Sequence, residues 1–268
     1  MTDLFSQQGL QALRELVAQP LLCLFDFDGT LAPLMADPDA VLLRSTVQAQ
    51  LRTLQKCAPV GIVTGRALDD LRPRLDFMPD YLIGNHGLEG LPAVTPTSGE
   101  PSELRMQVAH WIAQLGPELA AFDPRIRIED KQYSLLLHYL QAKDRRQAER
   151  RLRQRLEALR PTPRIIAGKY LFNVLPAGAG DKGSAVQALL ATSGLQQALY
   201  VGDDLTDEDV FRLKQPGLFT VHVDEGSEAI DSAAQWRLHG QPEVERLLDW
   251  LVTALRPQSG TAADRERR

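Results

Sequence analysis

The sequence predicts an α/β fold: an open parallel sheet whose strand ends carry the chemistry, with a smaller α+β unit inserted near its middle. Three observations predict it. Leu21 to Leu31 reads Leu-Leu-Cys-Leu-Phe-Asp-Phe-Asp-Gly-Thr-Leu, a short unbroken apolar run stopped by two aspartates, which suits a central parallel strand. The same design, apolar strand, polar turn and helix, recurs at Pro59 to Arg66 and at Ala198 to Asp209. Leu91 to Pro101 shifts to proline, threonine, serine and glycine, and two helices with two pairs of strands follow before the glycine-rich Ala177 to Gly180. The expected division is a core in two parts, residues 1–100 and 177–256, an inserted α+β unit over 101–176, and a disordered tail over 257–268.

Residues 4 to 18 place Leu4, Leu10, Leu13, Leu16 and Val17 at helical spacing, an amphipathic helix leading into the first strand. Side chains alternate along a strand, so Asp26 and Asp28 face one side and Phe27 the core. Two carboxylates so close repel each other, and a shared proton or a cation must relieve them. Gly29 lets the backbone turn, and the amides of this Gly29-Thr30 turn can face an oxyanion. Pro33, Asp37, Pro38 and Asp39 then mark an irregular loop over the sheet end. Ser45 is the expected cap of a helix running to about Lys56.

The strand Pro59 to Val63 ends in Thr64-Gly65-Arg66, with a helix from Ala67 whose free amides and dipole favour an anion. Thr64 is either a phosphate ligand or only the helix cap. A third strand, Tyr81 to Gly84, ends in Asn85-His86-Gly87-Leu88-Glu89, where His86 is a candidate for the pocket wall. In the insert the pattern predicts a helix over 103–121, strands at Arg125–Glu129 and Tyr133–Tyr139, a helix over 143–159, and strands at Arg164–Ile166 and Tyr170–Leu175. Six arginines on the 143–159 helix read as a solvated face, because Ala148, Leu152, Leu156 and Leu159 form an apolar stripe and Glu149 stands four residues before Arg153. Glu129, Lys131 and His138 interrupt the strands with charge, either as contacts to a hydroxyl-rich ligand or as the surface of edge strands.

Asp181-Lys182-Gly183 opens a helix to about Thr192, and Lys182 stands where it can meet an anion. The strand Ala198 to Val201 ends in Gly202-Asp203-Asp204. Thr206 is the expected cap of the next helix, whose first-turn acids Asp207 to Asp209 suit the dipole. That account does not cover Asp203 and Asp204, which need a cation. A strand at Phe219–Val223 and a helix over 242–254 complete the sheet.

Composition narrows the function classes. The 268 residues can bury a full core, and 44% hydrophobic with 24% charged residues is ordinary for a soluble globular chain. A formal net charge of -5 argues against a general nucleic-acid binder. Cys23 and Cys57 lack metal-ligand spacing and read as small apolar residues in a reducing compartment. No apolar stretch approaches bilayer length, and Asp3 stands where a signal peptide carries positive charge. The expectation is a cytoplasmic monomer or weak oligomer with a small-molecule partner and neither nucleic acid nor membrane.

Three strand ends therefore offer Asp26 with Asp28, Thr64, and Asp203 with Asp204, with Lys182 at a helix start between them. Oxygen donors without His or Cys suit Mg2+, with Asp26, Asp28, Asp203 and Asp204 as the expected ligands. A carboxylate attacking a phosphate dianion is an anion approaching an anion. At ~4 Å and an effective dielectric near 20 the repulsion is worth roughly 4 kcal/mol per charge pair, which Mg2+ and Lys182 would offset.

At Asp26-Phe27-Asp28-Gly29-Thr30, Thr64, Lys182 and Gly202-Asp203-Asp204 the sequence resembles the haloacid dehalogenase superfamily of aspartyl-phosphate phosphatases. The resemblance implies a Rossmann-like parallel-sheet hydrolase core, with Asp26 as nucleophile and metal ligand and Asp28 as general acid, then base. It implies Thr64 and Lys182 on the phosphoryl oxygens, Asp203 on Mg2+, and Asp204 supporting the metal site with Asp207 behind it. A closer resemblance, over nearly the full chain, is to the trehalose-6-phosphate phosphatases, through Thr64-Gly65-Arg66, Asn85-His86-Gly87-Leu88-Glu89, Glu129-x-Lys131-x-x-Ser134, His138-Tyr139, Gly168-Lys169 and Gly202-Asp203-Asp204-x-Thr206-Asp207-Glu208. By it the insert is a mobile cap, Glu129 and Lys131 grip the sugar, and Gly29, Thr30, Gly65, Arg66, Asn85, His86 and Asn173 belong with the substrate contacts.

The sequence departs from that family at two points. Asn173-Val174-Leu175-Pro176 stands where the family shows Glu-x-Arg/Lys-Pro, and Leu140 stands where an arginine follows His-Tyr. The replaced glutamate is a sugar contact in the family, so another osmolyte or disaccharide phosphate is the alternative substrate. Two rivals from other classes are a phosphoacceptor receiver, which has no use for Asp28 or an insert, and a silent sugar-phosphate sensor, which has no use for Asp26 with Asp28.

Overall fold

In a computed structural model of the chain, the structure describes residues 1–35, 37, 40–90, 101–168, 170–177, 180–226 and 231–256. The expected linker from 91, Pro38, Asp39, Lys169 and the expected disordered tail lie outside the described residues. In chain order the elements are β1 Thr2–Asp3, α1 Gln7–Leu16, β2 Leu21–Phe25, α2 Ser45–Gln55, β3 Val60–Val63, α3 Leu68–Leu71, β4 Tyr81–Ile83, α4 Pro101–Phe122, β5 Arg127–Asp130 and β6 Leu135–His138. They continue with α5 Arg145–Ala158, β7 Pro163–Gly168, β8 Leu171–Pro176, α6 Lys182–Ser193, β9 Gln197–Gly202, α7 Glu208–Phe211, β10 Leu218–Val223, β11 Trp236–Leu238 and α8 Gln241–Leu255.

The larger sheet has the order β1-β11-β10-β9-β2-β3-β4, and its ladders are parallel. β2 lies inside it between β9 and β3, covered on both faces, and its residues alternate accordingly. Leu21, Cys23 and Phe25 enter a core with Leu13 of α1, Leu51 of α2 and Leu247 of α8. Leu22 and Leu24 enter a second core with Val186 and Leu189 of α6. The smaller sheet, β5-β6-β8-β7, is antiparallel and closes on Trp111 of α4 and Leu152 of α5. It forms the cap. The arginines of α5 behave as a solvated face: Arg151 and Arg155 pair with Glu118, and Arg153 with Glu149.

Several expectations change. β1 and β11 extend the sheet at an edge the pattern did not reveal, since they are two and three residues long and carry Asp3 and Arg237. The residue before α2 is Arg44, without a side-chain cap, and Ser45 is the helix's first residue. The helix from Ala67 is only the four residues of α3. Pro73 follows within a 3₁₀ turn, so little dipole stands behind Thr64. α7 is equally short, and the residue at its cap position is Asp207, not Thr206. Among the described residues no helix is long and apolar enough to cross a membrane.

Candidate active site

Each strand end carries its polar residue just past the last ladder bond. The Asp26 amide still donates to Val201 O at 2.8 Å, so the pairing of β2 with β9 runs one residue past Phe25 and sets Asp26 beside Gly202 and Asp203. Phe27, fully buried, anchors the turn from below. The Thr64 amide donates to Ile83 O at 2.9 Å, which ties the end of β3 to β4 in the same way.

Lys182 opens α6 and points into this cluster. Asp181 caps the helix through a reciprocal pair with Ser184, which fixes where Lys182 emerges. Lys182 Nζ donates to Asp26 Oδ1 at 2.7 Å and Asp207 Oδ1 at 2.8 Å, with the lysine 2% exposed. Burial opposes its charge, but the carboxylates of Asp207 and Asp26 outweigh that and hold the ammonium well above the usual lysine value. Burial pushes the Asp26 carboxyl up, Lys182 pulls it back, and the charge of Asp207 raises it again. Asp203 is likewise held well above the carboxylate range, first by burial and then by Asp26.

Asp26, Asp203 and Asp207 offer carboxylate oxygens within 4.8 Å of one another. Asp207 is already saturated. Its Oδ1 accepts from Lys182 and from Tyr200 Oη at 2.5 Å, and its Oδ2 accepts from the amides of Asp203 at 3.0 Å and Asp204 at 2.9 Å. It therefore supports the cluster, and Asp26 with Asp203 are left to face a metal. Two carboxylates raised by burial and mutual repulsion, offering only hard oxygen donors, fit a divalent cation of the Mg2+ kind. The other two of the four expected ligands have their side chains engaged elsewhere. Asp28 is turned to Arg66, and Asp204 is exposed, with Oδ1 accepting its neighbour's amide, Leu205 N, at 2.6 Å.

Arg66 holds Asp28 with a fork: Nε donates to Oδ2 and Nη2 to Oδ1, both at 2.7 Å. Its Nη1 donates to Asp70 at 2.6 Å, and Arg74 holds the other oxygen of Asp70 at 2.6 Å. At 6% exposure these donors serve Asp28 and Asp70, which sets Arg66, expected among the substrate contacts, where it orients Asp28 at the cavity wall. Thr64 Oγ1 accepts from the Arg66 amide at 3.2 Å, the turn-capping alternative, although Thr64 also lines the cavity. Gly29 and Thr30 serve Asp203. Thr30 Oγ1 donates to it at 3.1 Å, and Gly29, at φ +82°, leaves space that a Cβ would occupy 2.0 Å from Asp203 Oδ2.

These groups floor a cavity of about 390 Å3 that the cap roofs with Glu129, Lys131, Ser134, Leu136, His138, Ile166 and Asn173. Glu129 accepts from His138 Nε2 at 2.9 Å and pairs with Lys131 through its other oxygen. The hydrogen bond to His138, with Lys131 opposite, brings the Glu129 carboxyl down to about 2. Asn173 Nδ2 meets His86 Nε2 at 2.8 Å, a hydrogen bond from cap to core. Burial, reinforced by the charge of Lys182, brings the His86 imidazole down to about 3. The left-handed turn at Asn85 (φ 47°) and His86 (φ 55°) presents His86 to the cavity, with Gly65 against its ring. Asn85, expected among the substrate contacts, is fully buried beside His86 and outside the cavity lining.

Sequence reasoning missed Tyr200 and Asp70. The readable signals were a tyrosine in an otherwise aliphatic strand, two residues before Gly202, and the helical spacing of Arg66, Asp70 and Arg74.

A parallel sheet with acidic strand ends, interrupted by an antiparallel cap over the same cavity, defines a haloacid dehalogenase-like hydrolase fold. A solved hydrolase of that kind from Bacteroides thetaiotaomicron superposes with a TM-score of 0.59 at 14% identity, covering 87% of this chain and all (100%) of that one. The chain belongs to the trehalose-phosphatase family, whose model matches residues 24–241, and that membership makes it a phosphatase of the hydrolase class. Among relatives, probable trehalose-phosphate phosphatase J of Arabidopsis thaliana is 26% identical over 259 residues, covering 90% of this chain and 69% of that protein. The trehalose-phosphate phosphatase of Mycobacterium bovis is 29% identical over 259 residues, covering 93% of this chain and 66% of its own length. The chain thus spans about two thirds of these relatives. The C-terminal domain of Candida albicans trehalose-6-phosphate phosphatase superposes with a TM-score of 0.68 at 23% identity, covering 91% of this chain and 96% of that one.

Proposed function

We propose that this chain hydrolyses trehalose 6-phosphate to trehalose and phosphate, with Mg2+, through a phosphoryl group carried on Asp26, and that residues 101–176 act as its cap. The observation that carries the reading is Lys182 between Asp26 and Asp207 on the floor of a cavity whose roof bears Glu129, Lys131 and His138. Lys182 occupies Asp26 Oδ1; Oδ2 accepts no hydrogen bond among the described residues and is the attacking oxygen. As the bond from Oδ2 to phosphorus forms, the bond from phosphorus to the sugar oxygen breaks, and Asp28 gives that oxygen a proton. Asp28 then takes a proton from the water that cleaves the phosphoryl-aspartate, which frees phosphate and restores Asp26.

Asp26 and Asp203 would hold Mg2+, which when bound supplies positive charge against the phosphoryl oxygens. Lys182 adds its charge beside Asp26, and Arg66 fixes where Asp28 stands. The cap shields the reacting atoms from bulk water, and the Glu129–Lys131 pair meets sugar hydroxyls with one acceptor and one donor group.

The test is kcat/KM with Mg2+ for trehalose 6-phosphate, a panel of other sugar phosphates, and nitrophenyl phosphate. Trehalose 6-phosphate should lead the panel, and Asp26→Asn should abolish turnover with the fold intact. Comparable turnover of unrelated monophosphates, or an active Asp26→Asn, would refute the assignment. A second reading keeps the chemistry and changes the sugar to another disaccharide phosphate. It is favoured by Asn173, whose amide is engaged by His86 and carries no charge.

A further inference from the structure

The cap is tied to the core at the Asn173–His86 bond and at a second place away from the sugar-facing groups. Arg164, on β7 of the cap, reaches two core elements: Nη2 donates to Asp209 Oδ2 at 2.7 Å and Nη1 to Asp181 Oδ2 at 3.3 Å. Asp181 immediately precedes Lys182 and caps α6 through its other oxygen, which accepts Ser184 N at 2.7 Å. Asp209 lies in α7, two residues after Asp207. The two elements are tightly joined there, since a Cβ on Gly183 would stand 2.4 Å from Asp209 O. One guanidinium from the cap therefore grips the pair of core segments that deliver Lys182 and Asp207.

We propose that Arg164 is a positioning residue: an ion-pair latch that holds the cap where Glu129 and Lys131 face the Asp26 centre. The inference rests on the sugar-phosphate reading above for its substrate, not for the latch itself. The three side chains are 34%, 33% and 23% exposed, so water and salt reach the pairs. Such half-screened pairs favour the closed arrangement by roughly five-fold, which suits a cap that must open to release product. Because Asp181 caps α6 with its other oxygen, releasing Arg164 leaves the helix start intact.

The test compares wild type with Arg164→Gln and, from the core side, Asp209→Asn. Either variant should raise KM for trehalose 6-phosphate about five-fold. It should leave kcat/KM for nitrophenyl phosphate, which needs no cap contact, unchanged. Added NaCl should raise the wild-type KM toward that of the variants and move theirs little. Amide exchange over 163–176 should quicken in both variants, and Arg164→Asp combined with Asp209→Arg should recover part of the loss. An unchanged KM, an equal loss on both substrates, or the same salt response in wild type and variants would overturn the latch. Should wild type fail to turn over trehalose 6-phosphate, the substrate reading falls, and amide exchange over 163–176 still decides the latch: faster in both variants supports it, unaltered refutes it.

Discussion

Asp207→Asn probes the centre most severely, because it keeps the shape of the residue and changes only its charge and half of its acceptors. Asp207 is fully buried and takes four donors, two on each oxygen. The charge balance alone predicts little. At an effective dielectric near 20, the attraction of Lys182 for Asp207 at 2.8 Å is worth about 6 kcal/mol. When both are ionised, Asp26 and Asp203, with oxygens within 4.8 Å, repel Asp207 by about 3 to 4 kcal/mol each, so removing the charge then loses and gains nearly equal amounts. Hydrogen bonding decides the sign. An asparagine oxygen can serve two of the four donors, but its NH2 must face the other two, either the Asp203 and Asp204 amides or Lys182 and Tyr200.

Two buried donors facing a donor cost roughly 1 to 3 kcal/mol each, so the variant should lose about 2 to 6 kcal/mol of stability. Urea unfolding at neutral pH would read it as a lower midpoint at unchanged slope. Activity should fall as well, since in either orientation Lys182 loses the charge of one of its two anchors and is drawn toward Asp26. Tyr200→Phe removes one donor and leaves Oδ1 its lysine, so it should cost only about 1 kcal/mol. A stability loss for Asp207→Asn below that of Tyr200→Phe would refute the account of Asp207 as the organiser of the cluster.

Three further outcomes follow from the same geometry. Gly29→Ala forces a Cβ to within 2.0 Å of Asp203 Oδ2 at φ +82°, so Asp203 must move; a Mg2+ titration of activity should need markedly more metal, and an unshifted titration would show that Asp203 does not hold it. Glu129→Ala should lower kcat/KM for trehalose 6-phosphate roughly ten- to a hundred-fold while sparing nitrophenyl phosphate, and equal loss on both would deny Glu129 a sugar contact. His86 protonates only near pH 3 when folded but near 6.5 when unfolded, so between those values the unfolded chain alone binds the proton. Stability is therefore whole above 6.5 and falls as pH drops, by about 2 kcal/mol at pH 5. Urea unfolding of His86→Gln should show a smaller loss between pH 7 and 5 than wild type, and equal losses would remove His86 as the cause.

Strand ends were legible because they need only local pattern. An apolar run that stops at an aspartate locates Asp26 and Asp203 without knowledge of their partners, and the parallel sheet brings them together. Partner choice was not legible. Arg66 in a Thr-Gly-Arg turn suggests an anion contact, yet its guanidinium serves a carboxylate 38 residues earlier in the chain. Asp207 suits a helix dipole only if a helix of some length follows, and α7 has four residues. Such lengths depend on what packs around them. The short strands β1 and β11 escaped because so few residues carry no periodicity.

The departure at Asn173 also acquires a physical reason once its partner is known. His86 is buried close enough to Lys182 for that charge to help hold the ring neutral. A glutamate at 173, hydrogen-bonded where Asn173 now is, would draw a proton onto His86 and place a second cation beside Lys182 in a buried site. Asparagine makes the bridge from cap to core with no charge, and the charged attachment falls to Arg164, where water screens it. The cavity is thus left with Glu129 and Lys131 as charged groups of its roof, the pair proposed to meet sugar hydroxyls, and with Lys182 as the buried cation its floor directs at Asp26.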